Sequence, residues 1–169
     1  MSTRGAYGFK INGEYKVAFN GSDSYPECLG EHVIKFVAKT PLAEIRKIAK
    51  KITLLNDHSV PTEEQIKQCN FSKPISEINE NWDNLLEETY GNIFALKNIP
   101  FMFDAQDFMG DGLFCEWVYI INLDNKTLNV YRHGNSDLIK SFPLKSLGGI
   151  NIVKITKLLK EIMKEVYVE

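Results

Sequence analysis

Long apolar runs are missing from this chain: no stretch approaches the roughly 18 residues needed to span a bilayer, so no membrane partner is expected. A surplus of either charge is missing too. Lys and Arg number 20 against 22 Asp and Glu, a net charge of -2, which removes the whole-molecule field that draws proteins onto nucleic acid, and no DNA partner is expected. Cysteine is scarce: Cys28, Cys69 and Cys115 are an odd number without C-x-x-C spacing, a pattern that does not fit a disulfide framework. The opening Met1-Ser2-Thr3-Arg4 lacks the apolar run of a signal peptide, and the expected setting is a reduced, cytoplasmic one. The P-loop, G-x-G-x-x-G, G-x-S-x-G and H-E-x-x-H patterns are all absent, so neither a cofactor nor a metal is expected. Asp104, Asp107 and Asp111 miss the calcium-loop spacing and read as a solvated turn.

What is present is enough apolar sequence for one domain spanning 1–169, a length at which a core buries roughly two thirds of the unfolded surface. Segments 6–11 and 15–20 flank Asn12-Gly13, a pair that accepts positive φ and favours a type I′ hairpin. Leu29, Val33, Phe36 and Val37 recur at helical spacing. Thr40-Pro41 then reads as a cap and first residue of a second helix, whose apolar face (Leu42, Ile45, Ile48, Ile52, Leu55) runs on to Asn56-Asp57 opposite Arg46, Lys47, Lys50 and Lys51. Thr62 and Gln65 fit a capping box for a short helix to Cys69, and Trp82, Leu85, Leu86 and Thr89 suggest another that stops at Gly91. Segment 93–99 is ambiguous. Residues 113–123 and 128–132 read as a hairpin around Asp124-Asn125-Lys126, 136–142 as a third strand, and 150–166 as an amphipathic helix. Hairpins separated by helices make an α+β domain with a mostly antiparallel sheet.

The candidate chemistry lies where the first hairpin begins and ends. Thr3 and Arg4 precede its first strand and Asp23, Ser24 and Tyr25 follow its second, so an antiparallel pairing brings both groups to one end. There Arg4 either clamps a carboxylate or phosphate with Asp23 orienting it, or simply forms a salt bridge with Asp23. Glu116, between Cys115 and Trp117, either faces solvent or serves a polar site, and with Trp117 offers a further wall. Ser2, if exposed at the terminus, unites a hydroxyl with an α-amine whose ordinary pKa is about 7.7 to 8.0, which makes it nucleophile and base in one residue. Cys28 and His32, four residues apart, are a weak thiolate–imidazole pair, and Cys28 reads better as a packed thiol.

Three segments carry a family resemblance: Ser2-Thr3-Arg4-Gly5-Ala6-Tyr7-Gly8-Phe9, Asp23-Ser24-Tyr25-Pro26 with Leu29-Gly30, and Phe114-Cys115-Glu116-Trp117-Val118-Tyr119 leading to Asn122-Leu123-Asp124. Together they resemble a family of small proteins of bacteria, tailed phages and fungi that start M-[GS]-T-R-[GN]. The resemblance implies an accessory intracellular protein, for which phage counter-defence by sequestering a signalling nucleotide is one role. The first segment is also distantly similar to the N-terminal-nucleophile hydrolases, which implies an αββα fold and an amidohydrolase using Ser2. The leading expectation is a binding protein that holds a small polar or phosphorylated ligand with Thr3, Arg4, Asp23, Ser24, Tyr25, Glu116 and Trp117. A third reading is an interaction module, as a homo-oligomer or on a host protein, that docks through the acidic stretch 77–88 or the basic helix with Lys47 and Lys50.

Overall fold

The computed structural model describes residues 2–56, 58, 60–74 and 81–167. Strands β1 (Gly5–Ile11) and β2 (Glu14–Asn20) pair antiparallel from Gly5↔Asn20 to Ile11↔Glu14. The turn between them is the expected one, with positive φ at Asn12 (53°) and Gly13 (75°). Its two amide groups are held from outside: Asn12 N–H donates to Asp124 Oδ1 at 2.7 Å and Gly13 N–H to Asp124 Oδ2 at 2.9 Å. These bonds hold the Asp124 carboxyl below its ordinary value.

After β2 the chain makes a π-helical turn, Pro26–Gly30, that runs into α1 (Glu31–Lys39) and then α2 (Leu42–Lys51). Pro41 itself holds the cap position of α2, and Thr40 makes no capping bond. The apolar spacing through Ile52 and Leu55 predicts a longer helix than the structure contains: α2 stops at Lys51 and Thr53–Leu55 is strand β3. The reason is Lys16. From the middle of β2 its buried ammonium donates to the carbonyl oxygens of Ala49 (2.8 Å), Lys50 (3.3 Å) and Ile52 (2.8 Å), closing the end of the helix and turning the chain. Asp57, part of the expected helix stop, lies outside the described residues.

The capping box forms as read, with Gln65 N–H donating to Thr62 Oγ1 at 3.2 Å and Thr62 N–H to Gln65 Oε1 at 2.9 Å, and it starts the short α3 (Glu63–Lys67). Beyond it, α4 (Trp82–Leu85) passes into a 3₁₀ turn (Glu87–Thr89) before Gly91, and the ambiguous segment is another 3₁₀ run, Ile93–Lys97. Strand β4 (Phe101–Phe103) pairs parallel with β3, and a single helical turn, α5 (Gln106–Met109), sits inside the acidic loop. The next strand, β5 (Trp117–Asn122), starts four residues later than its β-prone composition suggests. Asp111 accounts for this: its Oδ1 accepts Leu113 N–H (3.0 Å) and Phe114 N–H (3.1 Å), and its carbonyl accepts Cys115 N–H (2.9 Å). Strands β6 (Thr127–Arg132) and β7 (Asp137–Pro143), the short α6 (Leu144–Leu147) and α7 (Ile152–Tyr167) complete the chain.

The main sheet has the order β2-β1-β5-β6-β7, antiparallel except for the central pair, where β1 and β5 run parallel from Gly5↔Trp117 to Lys10↔Asn122. The α+β class and the mostly antiparallel sheet are as expected; the parallel join was not legible from the hairpins. A five-stranded and a two-stranded sheet do not by themselves form the αββα sandwich of N-terminal-nucleophile hydrolases. One face of the large sheet, carrying Tyr7, Phe9, Trp117, Tyr119 and Ile121, packs on apolar residues of α1, α2 and α7. A smaller cluster, including Val17, Val118 and Cys115, covers part of the other face, and Trp82, Leu86 and Phe101 anchor a third around β4. Among the described residues no helix is long and apolar enough to cross a membrane, and no group of three His, Cys, Asp or Glu is placed to hold a metal.

Two predictions follow from these contacts. Lys16→Met strips three helix-end carbonyls of a charged donor and leaves them unsatisfied, so urea unfolding should show a loss of about 2–3 kcal/mol. For Asp124 the folded-state pKa is depressed, so its contribution is present above the ordinary carboxyl value of 3.8 and is lost as pH falls through the lower folded value. Asp124→Asn should therefore be less stable than the natural protein at neutral pH, with the gap narrowing as the solution is taken below about pH 4.

Candidate functional site

The loop residues singled out in the sequence do come together at one end of the first hairpin, and they divide into buried and exposed groups. Thr3, Ser24 and Trp117 are buried. The Thr3 carbonyl accepts Ser24 N–H at 3.3 Å, the Ser24 hydroxyl accepts Asn20 Nδ2 at 2.8 Å, and the Ser24 carbonyl accepts the Tyr119 hydroxyl at 2.7 Å. Trp117 lies beneath the Arg132 guanidinium, 5.1 Å from its ring centroid, not at the loop surface. Gly30 lets the π-helical turn settle on Tyr119, for a Cβ there would come within 2.9 Å of the ring.

Arg4, Asp23, Tyr25 and Glu116 remain exposed. Arg4 and Asp23 do not form an ion pair: the Arg4 guanidinium sits over Phe114, 5.4 Å from the ring centroid, while its backbone N–H donates to Glu116 Oε2 at 3.2 Å. Asp23 has a positive φ of 53° and its carbonyl accepts Leu29 N–H at 3.2 Å. Tyr25 starts the π-helical turn by accepting Cys28 N–H (3.0 Å) and Gly30 N–H (3.3 Å) on its carbonyl. The Ser2 hydroxyl donates to the Gly21 carbonyl at 2.7 Å, and Met1 lies outside the described residues. Cys28 and His32 do not pair. The thiol is pushed up by desolvation and by the carboxylates of Asp23, Glu27 and Glu31, and His32 Nε2 meets Asn92 Oδ1 at 3.0 Å.

A cleft of about 710 Å³, bordered by Asn20 and Gly21, opens beside this loop. Its depth comes from geometry that hydrophobic spacing does not announce. β2 forms the edge of the main sheet, β3 and β4 lie alongside, and Ala105 N–H donates to the Val17 carbonyl (2.9 Å) while Asp104 N–H donates to the Leu55 carbonyl (3.0 Å), which fastens the end of β4 to both. The apolar lining is Phe19, Leu55, Leu86, Leu96, Met102 and Phe103. Tyr7 supplies the floor: its hydroxyl donates to the Thr89 carbonyl at 2.7 Å, and burial pushes the phenol well above its ordinary value, so it stays neutral.

The polar groups of the cleft include Asn20, Asn56, His58, Thr89, Tyr90, Asp104 and Asp107, and among the described residues no lysine or arginine lines it. His58 Nδ1 lies 3.1 Å from Asp83 Oδ1, with its ring centroid 4.7 Å from that of Phe103, and Tyr90 donates to the Asp83 carbonyl at 3.1 Å. Asp104 spends one oxygen on Gln106 N–H at 3.0 Å. A volume of this size with an apolar wall and a few polar groups fits a small molecule. Two carboxylates with no lysine or arginine beside them among the described residues suit hydrogen-bond donors or positive charge and oppose phosphate. Asp104 and Asp107 are exposed, as expected of a solvated turn, and also border the cleft. The signal that singles out Tyr7 is its polar tip on a doubly buried strand, which requires a partner from outside the sheet.

The buried role of Ser24 is testable: Tyr119→Phe leaves its carbonyl unsatisfied and should lower unfolding free energy by about 1–3 kcal/mol. No protein-family model, curated protein or solved structure matches the chain, and the chemistry of the cleft is what its own residues supply.

Proposed function

We propose that the protein is a small-ligand binder that holds a molecule with an apolar body and hydrogen-bond donors or a positive charge in the cleft beside β2, and does no chemistry on it. The observation that carries this is the lining: apolar side chains with Asp104 and Asp107 as the carboxylates and, among the described residues, no lysine or arginine. Such a site gains from burying the ligand's apolar surface and takes its specificity from the carboxylates. A nucleoside or an aromatic amine meets these terms, whereas a mononucleotide brings its phosphate against like charge. The Ser2 hydroxyl is turned to the Gly21 carbonyl, an arrangement that favours a structural use of Ser2 over a nucleophilic one.

Calorimetry with a panel of nucleosides, aromatic amines and mononucleotides tests the reading. Nucleosides or amines should bind, mononucleotides should bind more weakly, and Asp104→Asn with Asp107→Asn should reduce amine affinity by about tenfold, or 1.4 kcal/mol. The bound molecule should be recovered with unchanged mass. Tighter binding of the mononucleotides, or affinity untouched by the paired substitutions, would place the ligand elsewhere.

A further inference from the structure

A second cavity, of about 850 Å³, lies where the α1–α2 corner meets the β5–β6 turn and the β7–α6 junction. Its buried floor is apolar, made by Val37, Ile45 and Leu144. Its rim carries Lys39, Lys126 and Lys145, and no carboxylate among the described residues lines it. We propose that this cavity binds a small soluble anion with an apolar body, a phosphate monoester or a carboxylate of aromatic or alkyl type, independently of the cleft beside β2.

Three observations support this. The first is that the rim charge is uncompensated: none of the three lysines takes part in a described ion pair. The two carboxylates nearest in sequence are committed elsewhere, Asp124 to the Asn12 and Gly13 amides and Glu44 to Lys97 at 2.7 Å. Opposite charge from a ligand is therefore what the rim lacks, and a concave, apolar-floored site concentrates that field. The second is that the site is built before any ligand arrives. Leu144 N–H donates to the Lys126 carbonyl at 2.9 Å and Gly149 N–H to the Ala38 carbonyl at 2.8 Å, so the three chain segments of the rim are already tied together. The third is the pairing of apolar floor and cationic rim, which selects amphiphilic anions over bare phosphate, because only they bury hydrocarbon while meeting the lysines.

The test is amide NMR of the full chain titrated with phenyl phosphate, inorganic phosphate and benzyl alcohol. Phenyl phosphate should produce saturable shifts at the amides of Lys39, Lys126, Lys145 and Gly149, and should bind at least about tenfold more tightly than either of the other two. Lys126 has a positive φ of 58°, so it is replaced by asparagine, which tolerates that conformation. Lys126→Asn with Lys145→Gln should weaken phenyl phosphate by roughly tenfold with an unchanged melting temperature; should the pair fail to fold, the exposed Lys145→Gln alone should cost about threefold. Inorganic phosphate binding as tightly as phenyl phosphate overturns the role of the floor, benzyl alcohol doing so overturns that of the lysines, and an absence of saturable shifts overturns the site.

Discussion

The parallel pairing of β1 with β5 is the constraint on which the rest of the molecule depends. Both strands are buried along nearly their whole length and on both faces, so the backbone groups of Gly5 to Lys10 that do not pair with β2 must find their partners on β5, a strand far along the chain. A parallel pair cannot be closed by a tight turn, and the intervening chain has to leave the sheet and return. That requirement places α1 and α2 against the face bearing Tyr7, Phe9 and Tyr119, with α7 beside them. The hairpin on one side and the three-stranded meander on the other then become one sheet, with β2 and β7 as its edges.

At the β2 edge, Lys16 does two things at once. A lysine on an edge strand discourages pairing with another chain, and here its ammonium also closes the end of α2. Because the helix stops there, Thr53–Leu55 is free to pair with Phe101–Phe103, and the small β3–β4 sheet lies close to the main one without joining it. The space left between them is the cleft. The cleft is thus a consequence of where a helix ends, and the helix ends where a lysine on a distant strand reaches its carbonyls.

The net charge of -2 conceals two cavities of opposite character. One has Asp104 and Asp107 against an apolar wall, the other Lys39, Lys126 and Lys145 around an apolar floor. Composition averages these out, and charge matters to binding only where a low-dielectric surface concentrates it. The basic face of α2 with Lys47 and Lys50, one docking surface suggested by the sequence, is exposed, whereas the acidic stretch 77–88 lies partly outside the described residues.

By itself the sequence determined what local chemistry decides. Asn12-Gly13 makes a type I′ turn because those residues accept positive φ, Thr62 and Gln65 cap a helix because they sit three residues apart, and the Trp, Val, Tyr and Ile content of β5 marks it as a strand. It also marked Ser2, Thr3, Arg4, Asp23, Ser24 and Tyr25 as neighbours, since antiparallel pairing of a hairpin is a short-range matter. Tertiary structure alone decided what those residues do. Ser24 is taken up by Tyr119, ninety-five residues away, Arg4 turns to Phe114 and Glu116 and leaves Asp23, and Tyr7 reaches Thr89 across the cleft. Such choices depend on which buried polar group most needs a partner, a competition settled only when distant segments meet in the packed core.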